Sequence, residues 1–231
     1  GREHLANIAL MENAAASVIF EPDPAMAAAA AAVAPGATLV DSLDALLAHD
    51  RLDCLLIASP NHCHTDQLQK IAKAVSLPIL VEKPLFTDPG DLTAIEAFRD
   101  SYAAPVWVAM EYRYMPPMQT FLEQVGTATG GIRMLSIVEH RYPFLDKIGN
   151  WNRFNANSGG TFVEKCCHFF DLMRLILGAD PVRVMASGAQ EVNHRDERYD
   201  GAAPDIWDCG YVIVDFANGT RAMLELSMFA E

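Results

Sequence analysis

The sequence predicts an α/β protein in two parts: a parallel-sheet domain over residues 1–115, followed by an α+β domain with a largely antiparallel sheet over residues 116–231. Two observations support this prediction. In the first part, short apolar runs alternate with helical patterns, which is typical of parallel strands joined by helical crossovers. In the second part, strand patterns follow one another with few helices between them, which favours antiparallel pairing.

The first part contains four apolar runs, which we interpret as strands, and the helical patterns that surround them. The predicted strands span residues 16–20, 54–58, 78–81 and 106–110. The predicted helices span residues 24–33, 41–48, 62–74 and 92–102. Because the apolar runs do not alternate with polar residues, we expect the sheet to be buried on both faces by helices.

The second part begins with a predicted helix over residues 118–125 and a strand over 132–140. A polar, aromatic-rich stretch over 142–158 is expected to be a loop, and residues 161–177 are expected to form the longest helix of the chain. The remaining strands are predicted at residues 182–189, 211–216 and 221–226. Asn218 and Gly219 between the last two indicate a hairpin turn.

Composition excludes several classes of protein. The 231 residues include 17 Lys and Arg against 30 Asp and Glu, and the resulting net charge of -13 would repel nucleic acid. No apolar run reaches the roughly 18 residues that span a bilayer, so we expect no membrane association. The five cysteines are odd in number and follow no disulfide spacing, which favours reduced thiols and a cytoplasmic location.

The chain begins inside a recognisable pattern. Gly1 opens a predicted helix, and Glu21 follows an apolar run twenty residues later, as in a dinucleotide-binding Rossmann unit. No arginine directly follows Glu21, so NAD is favoured over NADP as the cofactor. The strand and the two glycines that should come before Gly1 are missing, so we expect a fragment that is truncated at both ends. Because the natural N-terminus is missing, the sequence leaves open whether a secretion signal precedes it.

Two polar clusters follow predicted strands at their carboxyl ends, the edge where open α/β sheets bind ligands. In the first, Ser59-Pro60-Asn61, the Asn61 amide would either bind a ribose or amide group or cap the next helix. In the second, Glu82-Lys83-Pro84, the proline favours an extended Lys83 and so presents a charged pair at this edge. The alternative for the second cluster is a solvated turn. We predict no metal site, because His62 and His64 would not share a helix face.

A third cluster lies on the predicted helix 161–177. Glu164, His168 and Asp171 are four and three residues apart, which would place them on one face. A carboxylate beside an imidazole fixes its tautomer, as a general base requires. The alternative is a solvated helix with ordinary ion pairs. Because the surrounding residues are mostly apolar, and buried polar groups need partners, a functional role is favoured.

Three motifs together resemble one known family. Ser59-Pro60-Asn61-x-x-His64, Glu82-Lys83-Pro84 and Gly159-Gly160-x-x-x-Glu164-x-x-x-His168-x-x-Asp171, in this order, are similar to the Gfo/Idh/MocA family of NAD(P)-dependent oxidoreductases (glucose-fructose oxidoreductase, inositol dehydrogenase and MocA). The resemblance implies that Lys83 reaches the nicotinamide ribose and the substrate hydroxyl, and that His168 is the general acid/base. The family usually has aspartate where this chain has Glu164, so an orienting role is expected there.

The resemblance also implies a fuller set of site residues. The predicted catalytic residues are Lys83, His168, Glu164 and Asp171. The predicted cofactor-binding residues are Gly1, Glu21, Ser59, Pro60, Asn61, His64, Glu82, Lys83, Pro84 and Arg113. The predicted substrate-binding residues are Lys83, Tyr112, Trp151, Asn152, Arg153 and His168. For Trp151, a structural role is an equal alternative.

These assignments predict hydride transfer between nicotinamide and a secondary alcohol of a sugar, inositol or related polyol. The substrate is therefore expected to be a small molecule, and the family resemblance implies a homo-oligomer. Two alternatives remain open from the sequence. One is an NAD-dependent glycoside hydrolase of the same family, which oxidises a sugar transiently. The other is a non-catalytic nucleotide-binding protein or an inactive remnant, since the missing glycine turn would hold the pyrophosphate.

Overall fold

The structure, a computed structural model, describes residues 1–230. These residues form two compact units. The first unit consists of Gly1–Ser59, Cys63–Val81 and Thr93–Trp107. The second consists of Pro60–His62, Glu82–Leu92 and the chain from Val108 onward. Asn61 and Lys83 therefore belong to the second unit.

The first unit contains short parallel strands, as the alternating pattern predicts. Strands β1 (Val18–Phe20) and β2 (Thr38–Val40) form a parallel pair, and β3 (Leu55–Ile57), β4 (Ile79–Val81) and β5 (Val106–Val108) form a second sheet in that order. Strands β3 and β4 are parallel. The sequence pattern did not predict β2.

The helices of the first unit begin and end close to their predicted positions. They are α1 (Arg2–Ala9), α2 (Pro24–Val33), α3 (Leu43–Leu47), α4 (His64–Ala74) and α5 (Leu92–Ser101). The start of α2 is well defined because the Asp23 side chain accepts from the Met26 N–H at 2.9 Å, and Pro24 fills the first turn, where no amide partner is needed.

The expectation that this sheet is buried on both faces was wrong. In β3, Leu55 and Ile57 are buried, whereas the intervening Leu56 is 37% exposed; in β5, Trp107 is 58% exposed. Successive side chains of a strand point to opposite faces, so the unbroken apolar runs hide an alternation of burial. Apolar character alone therefore did not reveal which face is covered.

The second unit contains a four-stranded sheet beside helix α6 (Pro116–Thr129). Its strands are β6 (Met134–His140), β7 (Pro181–Ala189), β8 (Cys209–Phe216) and β9 (Arg221–Ser227), in the order β6-β9-β8-β7. The pairs β7–β8 and β8–β9 are antiparallel, as expected, but β6 pairs with β9 in parallel. The sheet is therefore mixed. Gly219, with φ of 82°, occupies the predicted hairpin turn.

The predicted helix over 161–177 is interrupted. Thr161–Glu164 forms α8 and Cys167–Leu177 forms α9, and the Cys166 N–H between them donates to the Thr161 carbonyl at 3.3 Å. That five-residue spacing widens the turn, as in a π-type bulge. The longest helix among the described residues is instead α6, with 14 residues. The predicted loop over 142–158 also contains a short helix, α7 (Asn155–Ser158).

Helix α9 covers one face of the four-stranded sheet and forms the main core of the second unit. The buried side chains shared by the helix and the strands are Phe169, Met173, Leu177, Val212, Val214, Phe216, Leu224 and Leu226. Burial of this set supplies the apolar contact that holds α9, and with it His168, in a fixed position. Among residues 1–230, no helix is long and apolar enough to cross a membrane.

Candidate active site

Lys83 reaches the segment that carries the third motif. It follows β4 by two residues, and its Nζ donates to the main-chain carbonyl of Glu164 at 2.9 Å. Its own backbone N–H donates to Glu82 Oε2 at 3.2 Å. The sequence predicted that these two motifs serve one site, and within the second unit the structure places Lys83 and Glu164 in direct contact.

His168 lies at the start of α9 and is almost completely buried. The Tyr112 ring stacks on the imidazole, with ring centroids 4.2 Å apart and an angle of 10° between the planes. On the ring itself, Nε2 lies 3.5 Å from Glu111 Oε1, whereas Nδ1 is buried and has no hydrogen-bond partner within residues 1–230. A buried polar atom without a partner is uncommon and marks a place where a ligand group fits.

The surroundings of His168 keep the imidazole neutral. Burial lowers the pKa of His168 to about 3, and the nearby positive charges of Lys83 and Lys165 act in the same direction. At neutral pH, His168 therefore has a lone pair with which to accept a proton.

Glu164, four residues before His168 in the sequence, has a buried side chain. Burial raises the pKa of Glu164, and the opposing positive charge of Lys83 limits the rise. Its Oε2 has no hydrogen-bond partner in the described part of the chain. Lys83 bonds to the main-chain oxygen of Glu164, which leaves the carboxylate itself available to a ligand.

Lys165 supports the Tyr112 ring that stacks on His168. Its Nζ donates to the Tyr112 hydroxyl, lies 4.7 Å from the Tyr112 ring centroid and is 3.3 Å from Glu139 Oε1. A cation close to an aromatic ring and to a carboxylate is held by both interactions. These contacts of Lys165 thus fix the position of Tyr112, which was predicted to bind substrate.

Asp171 and Arg113, assigned separate roles from the sequence, contact each other. Both carboxylate oxygens of Asp171 accept from the Arg113 guanidinium in a bidentate pair. This pair raises the pKa of Arg113. Among the described residues, the carboxylate next to the His168 ring is that of Glu111, and the Asp171 carboxylate is instead paired with Arg113.

The Ser59-Pro60-Asn61 turn does not cap α4 with its asparagine. Helix α4 begins at His64 without a side-chain cap, and the Asn61 amide donates instead to the Ser158 carbonyl at 3.3 Å. The His64 ring is fully buried, with Nε2 3.1 Å from the Ser59 carbonyl. His64 thereby stiffens the turn.

Besides Ser59 and His64, the predicted cofactor residues Gly1 and Glu21 lie in the first unit. Gly1 directly precedes α1, and no atom lies within 4 Å of the position that a Cβ would take there. Glu21 follows β1 at its carboxyl end, and its Oε1 accepts from the Asp23 N–H at 3.0 Å. A helix N-terminus open to a phosphate and a carboxylate after a parallel strand suit a dinucleotide. The residues present thus fit NAD.

The predicted substrate loop is held largely by its own contacts. The buried Arg153 guanidinium lies 2.7 Å from Asp146 Oδ1 and 3.1 Å from Glu197 Oε2. The buried Asn152 donates to the Leu145 carbonyl at 3.0 Å. Both side chains thus have partners in the loop itself, and Arg153 has a further partner, Glu197, outside it. Trp151 lies edge-on to another ring, that of His62.

Glu111 and Lys165 are site residues that sequence reasoning missed. Each is adjacent in sequence to a residue that was singled out, Tyr112 and Glu164 respectively. Neither shows a signal of its own, since a lone charged residue next to a motif is common on protein surfaces. Within residues 1–230, no group of three or more His, Cys, Asp or Glu side chains could hold a metal ion.

Comparison of the sequence with known protein families identifies its family. The sequence matches "Oxidoreductase family, NAD-binding Rossmann fold" over residues 1–110 and "Oxidoreductase family, C-terminal alpha/beta domain" over residues 130–231. The chain therefore belongs to the Gfo/Idh/MocA oxidoreductase family.

Two named relatives and one solved structure illustrate what the chain is similar to. The chain is 28% identical to inositol 2-dehydrogenase of Rhizobium meliloti over 95% of its own length and 63% of the relative's. It is 30% identical to D-xylose 1-dehydrogenase (NADP(+)) 2 of Haloferax volcanii over 92% of its length and 61% of that protein's. A solved myo-inositol dehydrogenase from Corynebacterium glutamicum has a TM-score of 0.80 at 24% identity, covering all of this chain and 66% of that one. The chain spans about half to two thirds of the curated relatives it matches.

Proposed function

We propose that the protein transfers a hydride between a nicotinamide cofactor and a secondary alcohol of an inositol, sugar or related polyol. The proposal rests on the site of the second unit. There, Lys83 contacts the main chain of Glu164, and His168 is buried and neutral. Within residues 1–230, Nδ1 of His168 has no hydrogen-bond partner. Membership of the oxidoreductase family and the polyol and sugar dehydrogenases among the relatives support it.

The chain's own residues would handle the proton. The neutral His168 ring accepts the hydroxyl proton of the alcohol at Nδ1, as a general base does. Lys83 presents a positive charge that stabilises the developing negative charge on the alcohol oxygen. Glu164, with its free carboxylate oxygen, orients a substrate hydroxyl, and the Arg113–Asp171 pair positions the start of α9. The cofactor, when bound, supplies the hydride acceptor.

NAD is the proposed cofactor. Gly1 would hold its pyrophosphate, and Glu21 would hold its adenosine ribose. NAD is preferred to NADP because the turn after Glu21 carries no arginine or lysine for a 2'-phosphate. The remaining cofactor contacts are proposed for Ser59, Pro60, Asn61, His64, Glu82, Lys83, Pro84 and Arg113. We propose that residues 1–115 form the cofactor domain and residues 116–231 the substrate domain. The compact units depart from this division at Pro60–His62, Glu82–Leu92 and residues 108–115, which belong to the second unit.

The proposal extends to assembly and location. The uncovered face of the four-stranded sheet carries apolar side chains from three strands, Met134, Val138, Met185, Tyr211 and Ile213. A patch of this kind is typical of a subunit interface, so we propose a homo-oligomer. The five cysteines are all free, which supports the cytoplasm as its location.

The proposal is tested by incubating the natural protein that carries this sequence with NAD or NADP and a panel of polyols. The panel contains myo-inositol, D-xylose and their methyl ethers or glycosides. We expect equal amounts of reduced nicotinamide and ketone or lactone with at least one member, and tighter binding of NAD than of NADP by calorimetry.

Three results would contradict it. Tighter binding of NADP would overturn the cofactor assignment. Release of an aglycone without accumulation of reduced nicotinamide would identify a glycoside hydrolase instead. Absence of nicotinamide binding would identify a protein that does not use this cofactor.

A further inference from the structure

We propose that Glu111 is the positioning residue of His168: it holds the Nε2–H tautomer and carries the proton from the buried imidazole to solvent. This inference rests on the proposed function, because it assigns the route by which the substrate proton leaves the site. Neither the motifs of the sequence nor the family resemblance points to Glu111.

The contact and its exposure support this role. Glu111 Oε1 lies 3.5 Å from His168 Nε2, and the two side chains differ sharply in exposure, at 60% for Glu111 and 3% for His168. At Nε2 the nearly buried imidazole faces Glu111 rather than bulk water. The Glu111 carboxylate touches the ring on one side and solvent on the other, so it connects the two.

The two ring nitrogens then have different roles. A carboxylate only accepts hydrogen bonds at neutral pH, so the nitrogen that faces Glu111 is the one that carries the hydrogen. This leaves the lone pair on Nδ1, the buried atom without a partner among residues 1–230. The tautomer is assigned from these surroundings. It directs the basic nitrogen to where a substrate hydroxyl would lie.

The other nearby carboxylates are engaged elsewhere. Both oxygens of Asp171 accept from Arg113, and the Glu139 carboxylate pairs with Lys165. Glu164 meets Lys83 through its main-chain oxygen, and in the described part of the chain no hydrogen bond joins its carboxylate to the His168 ring. Glu111 is therefore the carboxylate in position to fix the His168 tautomer.

One short turn of the chain supplies both contacts to the ring. Glu111 and Tyr112 are consecutive residues of the 3₁₀ turn Glu111–Tyr114. The Tyr112 ring covers the face of the imidazole, while Glu111 approaches its edge. Because Lys165 donates a hydrogen bond to the Tyr112 hydroxyl, this turn is held against His168 before any substrate binds.

The proton balance requires such an exit. When the alcohol is oxidised, its C–H bond gives a hydride to nicotinamide, its O–H bond breaks, and the proton binds His168 Nδ1 while the C=O bond forms. The resulting imidazolium lies next to the Glu111 carboxylate and close to the positive charges of Lys83 and Lys165, which disfavour it. It releases the proton on Nε2 to Glu111, which passes it to water and leaves a neutral ring with its hydrogen on Nδ1. After the product leaves, Glu111 returns a proton from water to Nε2, and Nδ1 gives its hydrogen to water in the vacated site, which restores the Nε2–H tautomer.

The test compares Glu111→Ala and Glu111→Gln with a matched control, Glu123→Gln, which removes the same charge from an exposed residue of α6. The first readout is the tautomer of His168 by nitrogen NMR in the protein without substrate. We expect the Nε2–H form in the wild type and the control. In Glu111→Ala we expect a mixture of tautomers, and in Glu111→Gln the amide oxygen should preserve the Nε2–H form.

The second readout is turnover. Glutamine can accept the Nε2–H hydrogen bond but cannot take up a proton, so kcat of Glu111→Gln should fall about 10-fold, less than the roughly 100-fold expected from loss of the base itself. Small carboxylate buffers should restore part of this loss, and Glu123→Gln should match the wild type.

The two readouts separate the possible failures. An unchanged tautomer in Glu111→Ala, or unchanged kcat in Glu111→Gln, would overturn the role of Glu111. Tautomer mixing in a protein that oxidises no polyol would uphold the Glu111–His168 pair and instead refute the proposed function.

Discussion

At the scale of single residues, the most informative feature is the neutrality of His168. Burial is the largest cause of its lowered pKa, and two lysines act in the same direction. A neutral imidazole offers a lone pair to a bound hydroxyl group, although a pKa below the working pH makes it a weaker base than one that titrates near neutrality. The same burial makes the folded state sensitive to acid, because protonation would place a charge on a buried histidine.

The pH dependence of stability therefore tests the environment of His168. Its pKa is about 3 in the folded protein and close to 6.5 in the unfolded chain, so the unfolded state binds the extra proton between these values. The stability contribution is fully present above about pH 6.5 and is lost as the pH falls towards 3. In urea unfolding experiments, His168→Gln should flatten the decline in the free energy of unfolding over this range.

The exposed His140 on β6 provides the control. His140→Gln should leave the slope of the wild type unchanged. If His168→Gln showed the wild-type slope as well, the account of a buried, neutral imidazole would be refuted.

The candidate residues of this site could be chosen from the sequence, but their contacts could not. Lys83, Glu164 and His168 were found because each belongs to a motif whose spacing is visible in the local sequence. The pairing of Asp171 with Arg113 and the approach of Glu111 were not foreseen. Such contacts depend on where separate segments meet in space, which spacing along one helix does not determine.

At the scale of elements, the interrupted helix shapes the site. A continuous helix over 161–177 was predicted from its apolar periodicity, but the described backbone widens between α8 and α9. Gly159 and Gly160 precede α8 with φ of 78° and 75°, values that L side chains rarely adopt. These glycines let the chain turn sharply into the segment that carries Glu164.

Substitution of Gly159 should disturb this turn. A Cβ there would lie 2.7 Å from Val163 Cγ1 and 3.2 Å from the Thr87 carbonyl, in addition to the unfavourable φ. We expect Gly159→Ala to lower the free energy of unfolding by about 1–3 kcal/mol, measured by urea denaturation.

A helical glycine offers the matched control. Gly126 lies inside α6, and no atom lies within 4 Å of the position that a Cβ would take there, so Gly126→Ala should raise stability by up to about 1 kcal/mol. Equal effects of the two substitutions would show that the turn at Gly159 is not under the constraint inferred from its contacts.

Most strands and helices were predictable because their signals are local. Asp23 and Pro24 mark the start of α2, and Asn218-Gly219 marks the hairpin between β8 and β9. The parallel pairing of β6 with β9 was not predictable, because the two strands are far apart in the sequence. Pairing of distant strands depends on tertiary packing, for which the strand patterns carry no signal.

At the scale of the whole molecule, the exposed sheet face predicts assembly. The register places Ile213 opposite Met185 on one side and Met223 on the other, so this residue lies within the apolar patch. A charge at that position would have to be buried in an interface. Ile213→Lys should therefore lower the molecular mass measured by light scattering towards that of one subunit.

The control places the same charge elsewhere. Ala72→Lys changes an exposed residue of α4 in the first unit and should retain the wild-type mass. A monomeric wild-type protein, or an Ile213→Lys variant that assembles normally, would contradict the proposed interface.

The central claim is that Lys83 and His168 act on the same alcohol group. The most direct test is a double-mutant cycle in kcat/KM with Lys83→Met, His168→Gln and the combined variant, using the polyol that the wild type oxidises. If both groups serve one transition state, the double variant should be about as slow as the slower single variant, with each single loss near 100-fold or more. Losses that multiply would show that Lys83 and His168 act independently, and would contradict this account.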